Sequence, residues 1–374
     1  MSQVMNIKSK LHQRSVVERI KDTDWQGKGS PAPLVVEFDT TEVCNLSCPG
    51  CISEDLVCNQ TSFSETRLME IAGEMVEIGV KAVILIGGGE PLAHPAVGDF
   101  IKFLGERDVG IGITTNGYFL DKYMDEISEY SHWTRVSMDA ATPETFNRLR
   151  PCKNGKNAFY HIVENMKRLA ESKKGKLGYS YLIRTHKDGF GIESNISEIY
   201  DAALLAREIG CDYFELKPSY SYVGGQPHAL VKHDAEDMKA AAEMTQKLDE
   251  LETDSFKVIK AINLAASLNG VEEEQTKQYH FCPVSELRTL VTPSGVYICP
   301  YWRGKDKFRI GNAHTTSFAD IWHGEQRRKV MENTDPSVVC DFHCLRHDSN
   351  NEVMNLINKP INEIDFVPEY DRFI

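Results

Sequence analysis

Hydrophobic and polar positions in the first two-thirds of the chain alternate between two periods. Short β-branched runs at Leu34–Asp39, Ala82–Ile86, Gly110–Thr114, Thr134–Ser137, Tyr179–Ile183 and Tyr213–Lys217 read as strands. Longer amphipathic stretches lie between them, at Glu65–Ile78, Ala96–Arg107, Asp121–Tyr130, Ala158–Ser172 and Ile196–Ile209, and read as helices. In the first of these, Leu68, Ile71, Met75 and Ile78 recur at helical steps, a stripe that needs a sheet to face. Gly79 follows it, where a helix commonly ends in a left-handed residue. Strand and helix patterns alternating in this way imply right-handed βαβ units on a parallel sheet.

Beyond that region Lys232–Leu251 reads as a further helix and Glu272–Gln278 as a polar connection. From Phe281 the texture changes. Leu287–Thr292 and Val296–Cys299 are the arms of a hairpin around Pro293-Ser-Gly295, and a helix is expected over Phe318–Met331. The expected divisions are an N-terminal extension over 1–33, an α/β unit over 34–250, a connection over 251–280, a small α+β unit over 281–350 and a tail over 351–374.

The candidate chemistry begins directly after the first strand. Cys44, Cys48 and Cys51 stand at Cys-x3-Cys-x2-Cys spacing on one short loop. Three thiolates so placed can hold three irons of a [4Fe–4S] cubane and leave the fourth iron open, whereas storage clusters are closed by four cysteines. A zinc knuckle or three unrelated buried thiols would use the same residues.

With the glycine motif Gly87-Gly-Gly-Glu-Pro91 one strand later, the chain resembles the radical S-adenosylmethionine (SAM) enzymes. That resemblance implies a partial (βα)6 TIM-like barrel with its site on the loops at the C-terminal strand ends. It also implies a [4Fe–4S] cluster on Cys44, Cys48 and Cys51, with SAM on the open iron, cleaved reductively to a 5′-deoxyadenosyl radical that abstracts hydrogen from substrate. Gly88, Gly89 and Glu90, Asn116 in Thr114-Thr-Asn-Gly117, and Ser137 and Asp139 in Val136-Ser-Met-Asp139 match its SAM-contacting positions. Arg184 is a further candidate, for the methionine carboxylate, with Ile183 beneath the adenine. Glycines allow close backbone approach, but Asn, Ser and Asp at strand ends also serve ordinary turns and caps. The chain departs from the family at Gly50, where an aromatic residue usually precedes the third cysteine; Ile52 is an apolar substitute.

Cys282, Cys299, Cys340 and Cys344 form a second set. With Ile310-Gly-Asn312 and Phe318-Ala-Asp-Ile-Trp322 they resemble a twitch/SPASM domain, which implies a second, auxiliary [4Fe–4S] cluster, expected here to carry an electron. A four-thiolate zinc site has similar ligands. Cys58, Cys152 and Cys211 read by default as buried small hydrophobes, although Cys58 lies where a thiol could return hydrogen to a substrate radical.

The 55 acidic and 42 basic residues give a net charge of −13, which excludes a broad duplex nucleic-acid footprint. The N-terminus is polar, without a signal-peptide core, and the longest apolar run is too short to span a bilayer, so a cytoplasmic enzyme without a membrane partner is expected. Ten cysteines in that compartment suit metal or catalysis better than disulfides. Glu215 and Lys217, at the end of the sixth strand, are the candidate substrate-gripping residues. About thirty residues precede the barrel, too few for a separate leader-peptide-binding domain, so the expected substrate is a small polar metabolite (sugar, aminocyclitol or nucleoside), oxidised or epimerised. An electron donor of the flavodoxin or ferredoxin type is the implied partner. A ribosomal-peptide maturase is the alternative, and a non-catalytic zinc protein is the alternative of another class.

Overall fold

The structure, a computed structural model, describes residues 7–191, 193–223, 226–231, 233–261, 263–269, 277–342 and 344–374. The alternating strands form as expected: β1 (Val35–Phe38), β2 (Ala82–Leu85), β3 (Gly110–Thr115), β4 (Ser131–Ser137), β5 (Lys176–Leu182) and β6 (Tyr213–Lys217). Each pairs in parallel with the next in chain order. The rest are β7 (Tyr220–Val223) and β8 (Gln226–Leu230), which form a separate hairpin, then β9 (Lys257–Lys260), β10 (Arg288–Thr292), β11 (Gly295–Tyr297) and β12 (Arg309–Gly311).

The helix Glu65–Ile78 has the bounds read from its stripe. Ser64 caps its start by accepting from Arg67 N–H at 3.1 Å, and Gly79 ends it at φ 93°. Other helices differ at their ends. The helix expected over Asp121–Tyr130 begins as a 3-10 turn and becomes α-helical at Met124. The one expected over Phe318–Met331 is two helices, Phe318–His323 and Glu325–Glu332, parted at Gly324. Most of the expected polar connection lies outside the described residues.

Two features were not legible as local patterns. β9 adds to the open side of β6, and β10 pairs in parallel with β1, Val35 opposite Arg288 through Phe38 opposite Val291. The C-terminal hairpin therefore continues the barrel sheet, and the boundary expected at residues 251–280 does not divide the hydrogen-bonded sheet. The terminal segments expected to be an extension and a tail are also integral. Helix Arg14–Asp22 buries Val16, Val17 and Ile20, and these join Val353, Leu356, Ile364 and Phe373 against Val35, Ala82 and Ile84 on the inner face of the sheet. The other side of the sheet is covered by the main core, with Phe38, Val83, Ile113, Val136, Tyr179 and Phe214 under the helices.

Strand alternation thus sorts side chains to two faces. Phe214 and Leu216 of β6 face the helices, while Tyr213, Glu215 and Lys217 face inward, and Trp133 and Arg135 of β4 do the same. A cavity of about 1250 Å³ at the lower end of the barrel is lined by Glu37, Trp133, Arg135, Glu215 and Arg288. No cysteine lines it, while its Glu215 pairs with Arg135 and also meets Lys217 on the inner face. Among the described residues no helix is long and apolar enough to cross a membrane.

Candidate functional site

The loop after β1 is fixed by hydrogen bonds to two neighbouring segments. Ser47 N–H donates to the Pro151 carbonyl at 2.9 Å, Lys153 N–H to that of Asn45 at 3.0 Å, and Glu90 N–H to that of Val43 at 2.9 Å. The three cysteines on this loop are each half-buried. Burial pushes the Cys44 thiol up to about 12, with the nearby Cys48 and Cys51 adding to the rise, and pushes Cys48 up likewise. Such thiols stay protonated unless a metal displaces the proton. Donors already point at the sulfurs: Leu46 N–H lies 3.5 Å and Asn116 Nδ2 3.9 Å from Cys44 Sγ, and Arg150 Nη1 lies 4.0 Å from Cys48 Sγ. Hydrogen bonds to cluster sulfurs are among the means by which a protein sets an iron–sulfur centre's potential.

The glycine motif packs directly on this loop. A Cβ on Gly89 would stand 2.3 Å from the Val43 carbonyl oxygen, and one on Gly87, at φ 87°, 2.3 Å from that of Gly89. Only glycine lets the two backbones touch here. Glu90 does something other than expected. It accepts from Thr115 Oγ1 at 2.6 Å, Asn116 N–H at 2.7 Å and Leu92 N–H at 3.1 Å. Burial pushes its carboxyl up to about 7 against those bonds. Glu90 is therefore a brace between the ends of β2 and β3.

Asp139 and Arg184 are also engaged internally. Asp139, at φ 57°, accepts from Arg150 Nε at 2.9 Å and from Leu182 N–H at 2.7 Å. Arg184 is buried, ion-paired with Asp188, and donates to the Pro49 carbonyl at 3.3 Å. It ties the loop after β5 to the cysteine loop rather than reaching into open space. Ile183 is buried in the outer core, facing away from the site. Asn116 donates to Asn45 Oδ1 at 2.8 Å and accepts from Tyr118 N–H at 2.9 Å. Ser137, half-buried at the end of β4, keeps its hydroxyl unpartnered among the described residues.

On the inner face, Glu215 takes Arg135 Nη1 at 2.9 Å while Arg135 Nη2 donates to Thr114 Oγ1 at 3.2 Å. Lys217 Nζ lies 3.6 Å from Glu215, and burial pushes its ammonium down although Glu215 opposes that. Cys58 is exposed at the end of the short helix Glu54–Val57, Cys152 is buried against Leu46 in an isolated bridge, and Cys211 is buried.

The second cysteine set comes together from three segments. Cys282 donates to Asn350 Oδ1 at 3.4 Å, Cys299 follows β11, and Cys340 and Cys344 flank Phe342. Burial raises the thiols of Cys299, Cys340 and Cys344, that of Cys340 to about 12, and each of these three is raised further by thiols of the set. The sulfurs of a zinc tetrathiolate, at Zn–S of about 2.3 Å, sit roughly 3.8 Å apart. Among the described residues no three cysteine sulfurs lie within 4.8 Å of one another. That spread suits thiolates placed on separate irons of a cubane better than four thiolates closing on one zinc.

Sequence reasoning missed the buried ion pairs that join this set to the barrel. Glu37 of β1 meets Arg288 Nη2 at 2.7 Å and also Arg346, and Asp39 meets Arg303 Nη2 at 3.0 Å. Burial would raise Glu37, but Arg346 and Arg288 overcome it and hold the carboxyl down at about 2. Asp39, with the single arginine Arg303 and the carboxylates Glu37 and Glu42 nearby, is pushed up by burial to about 6. No local pattern marks such partners, which lie some 250 to 300 positions apart.

Residues 38–188 match the family model described as the radical SAM superfamily, and residues 282–346 match the iron-sulfur cluster-binding SPASM domain. Over 327 residues the chain is 23% identical to the mycofactocin maturase MftC of Mycobacterium ulcerans, covering 86% of this chain and 82% of that protein. It is also 23% identical to the antilisterial bacteriocin subtilosin biosynthesis protein AlbA of Bacillus subtilis, over 84% of this chain and 65% of that protein. Among solved structures it is similar to Streptococcus suis SuiB bound to precursor peptide SuiA, at TM-score 0.58 and 15% identity, covering 82% of this chain and 68% of that one. At that identity the structural likeness speaks to the fold alone.

Proposed function

The chain belongs to the radical SAM superfamily and carries a SPASM domain, with the [4Fe–4S], SAM and auxiliary-cluster cofactors that these imply, and from this premise we propose that it is a peptide maturase. The observation that carries the reading is the extent of the sequence match. MftC, a mycofactocin maturase, aligns across barrel and SPASM domain alike. The small polar metabolite expected from the sequence has no such support, and the shortness of the segment before the barrel is no argument against a peptide.

In this reading SAM at the three-cysteine loop supplies hydrogen abstraction from an unactivated C–H bond, and the four-cysteine site supplies an electron acceptor. The chain's own residues bind, orient and exclude water. Gly87 and Gly89 bring backbone carbonyls to the cysteine loop, Glu90 fixes the ends of β2 and β3, and Arg150 bridges Cys48 and Asp139. Ser137, with its hydroxyl unpartnered, is the candidate cofactor contact on β4. Lys217, on the inner face with its ammonium destabilised by burial, is the candidate to take the proton when a substrate carbon is oxidised, and Glu215 with Arg135 holds it in place. The balance would then be one hydrogen atom from the substrate carbon to the 5′-deoxyadenosyl radical, one proton to Lys217 and one electron to the four-cysteine site.

The test is incubation of the reconstituted enzyme, SAM and a low-potential reductant with two panels. One holds short peptides encoded beside its gene, and the other holds aminocyclitols, sugars and nucleosides. A peptide that loses two hydrogens by mass spectrometry, with 5′-deoxyadenosine formed in step, supports the reading. Turnover confined to the second panel overturns it.

A further inference from the structure

The position before the third cysteine is bare in this chain, and a side chain from another element covers it. Gly50 lies at φ +70°, and a Cβ placed on it would stand 2.5 Å from two ring carbons of Phe190. The Phe190 ring therefore packs, through its Cγ, Cδ2 and Cε2 side, against the half-buried Gly50 backbone between Cys48 and Cys51, and any side chain at residue 50 would displace it.

Phe190 is held there by its neighbours. Its N–H donates to Asp188 Oδ1 at 3.1 Å, and Asp188 is paired through its other oxygen with Arg184. The Arg184 guanidinium sits 5.5 Å from the Phe190 ring centroid and donates to the Pro49 carbonyl at 3.3 Å. Arg184, Asp188 and Phe190 thus clamp the loop after β5 onto the cysteine loop. On either side of the ring stand Gly189 at φ +85° and Gly191 at φ +67°, with open space where their Cβ atoms would be. Two left-handed glycines put the ring on a short mount that is free to adjust.

Despite these contacts Phe190 is 42% exposed, so the ring touches Gly50 and still presents apolar surface to solvent beside the three-cysteine loop. An aromatic ring kept partly bare at a cofactor site is a stacking platform. Ile52, at 55% exposed, has no comparable support.

We propose that Phe190 is the residue on which the adenine of SAM rests, supplied by the loop after β5 in place of a side chain at position 50. The proposal rests on SAM lying at the three-cysteine loop and is independent of the peptide reading. The experiment is equilibrium dialysis of SAM, and separately of methionine, against oxidised, cluster-loaded Phe190→Ala, Phe190→Tyr and wild-type protein without reductant. Iron and sulfide content verify loading in each. Phe190→Ala is expected to bind SAM about ten-fold more weakly, the size of one lost base–aromatic stack. Its affinity for methionine, which lacks the purine, should be unchanged, and Phe190→Tyr should bind SAM as the wild type does. Equal SAM affinity in Phe190→Ala and wild type, or an equal loss for methionine and SAM, overturns the assignment. Failure of the wild type to bind SAM at all would instead overturn the placing of the cofactor on which it rests.

Discussion

The two cysteine sites are built in opposite ways. The front one is a single loop whose three thiols are spaced locally, and glycines, carbonyls and amides at the ends of parallel strands form much of its wall, beside the side chains of Asn116, Arg150 and Phe190. The rear one draws cysteines from three segments and is surrounded by side chains. Tyr301 and Trp302 pack on Phe342, Lys277 donates to the Phe342 carbonyl, and Arg346 lies beside Cys299. A centre that must admit a ligand is walled with groups that allow close approach, and one that need only exchange electrons can be enclosed in rings and cations. The contrast accords with the proposed division between SAM chemistry in front and electron transfer behind.

The strongest way to break this comparison is to remove the front ligands. A Cys44/Cys48/Cys51→Ala variant should drop from about eight irons to about four per chain and lose SAM cleavage entirely, read by iron and sulfide assay beside 5′-deoxyadenosine formation. Zinc without iron in the wild type would collapse the distinction. Next in size, Cys340→Ala should also lose about four irons yet still cleave SAM, while the oxidised product disappears. If product formation persists, the rear site is structural. Gly89→Ala sharpens the claim that the front site is walled in large part by backbone. Its Cβ would stand 2.3 Å from the Val43 carbonyl oxygen, so SAM affinity should fall on the order of ten-fold or more with iron retained.

Smaller effects test how the two halves are joined. Glu37→Gln leaves Arg288 and Arg346 buried without their anion and should cost about 3 kcal/mol, measured by chemical denaturation of the loaded protein. The same carboxylate predicts an acid limb. Its folded value, held at about 2, lies below the ordinary 4.5, so its contribution is complete above that value and is lost as pH falls from about 4.5 toward 2. Glu37→Gln should flatten that limb.

How much of this was legible in the sequence follows from range. Helix Glu65–Ile78 and the six parallel strands were readable because their signals are periodic and local. The three-cysteine loop and the glycine motif were readable because their ligands lie within a few residues of each other. The rear cysteines could be grouped by resemblance, but Glu37, Asp39, Arg288, Arg303 and Arg346 could not be paired, because each partner lies hundreds of positions away. Glu90, Asp139 and Arg184 could be placed at the site but not given their observed roles as braces, because nothing in the local pattern marks Asn116, Arg150 or Asp188 as their partners. The terminal segments were misjudged differently. Val16, Val17 and Ile20 form a stripe in a run otherwise so polar that it looked unstructured, and its counterpart comes only after residue 350.

The parallel pairing of β10 with β1 bears on how such proteins can be rearranged. The SPASM unit cannot be detached and grafted as a cassette, because lifting it away would strip the first barrel strand of its neighbour and leave a bare row of amides and carbonyls. An unpaired edge of that kind invites strand addition from other chains and aggregation. A chimera exchanging this unit between radical SAM proteins would have to carry β10 and its register opposite Val35–Phe38, so the natural splice point lies inside the sheet's hydrogen-bonding plan rather than in the linker before it.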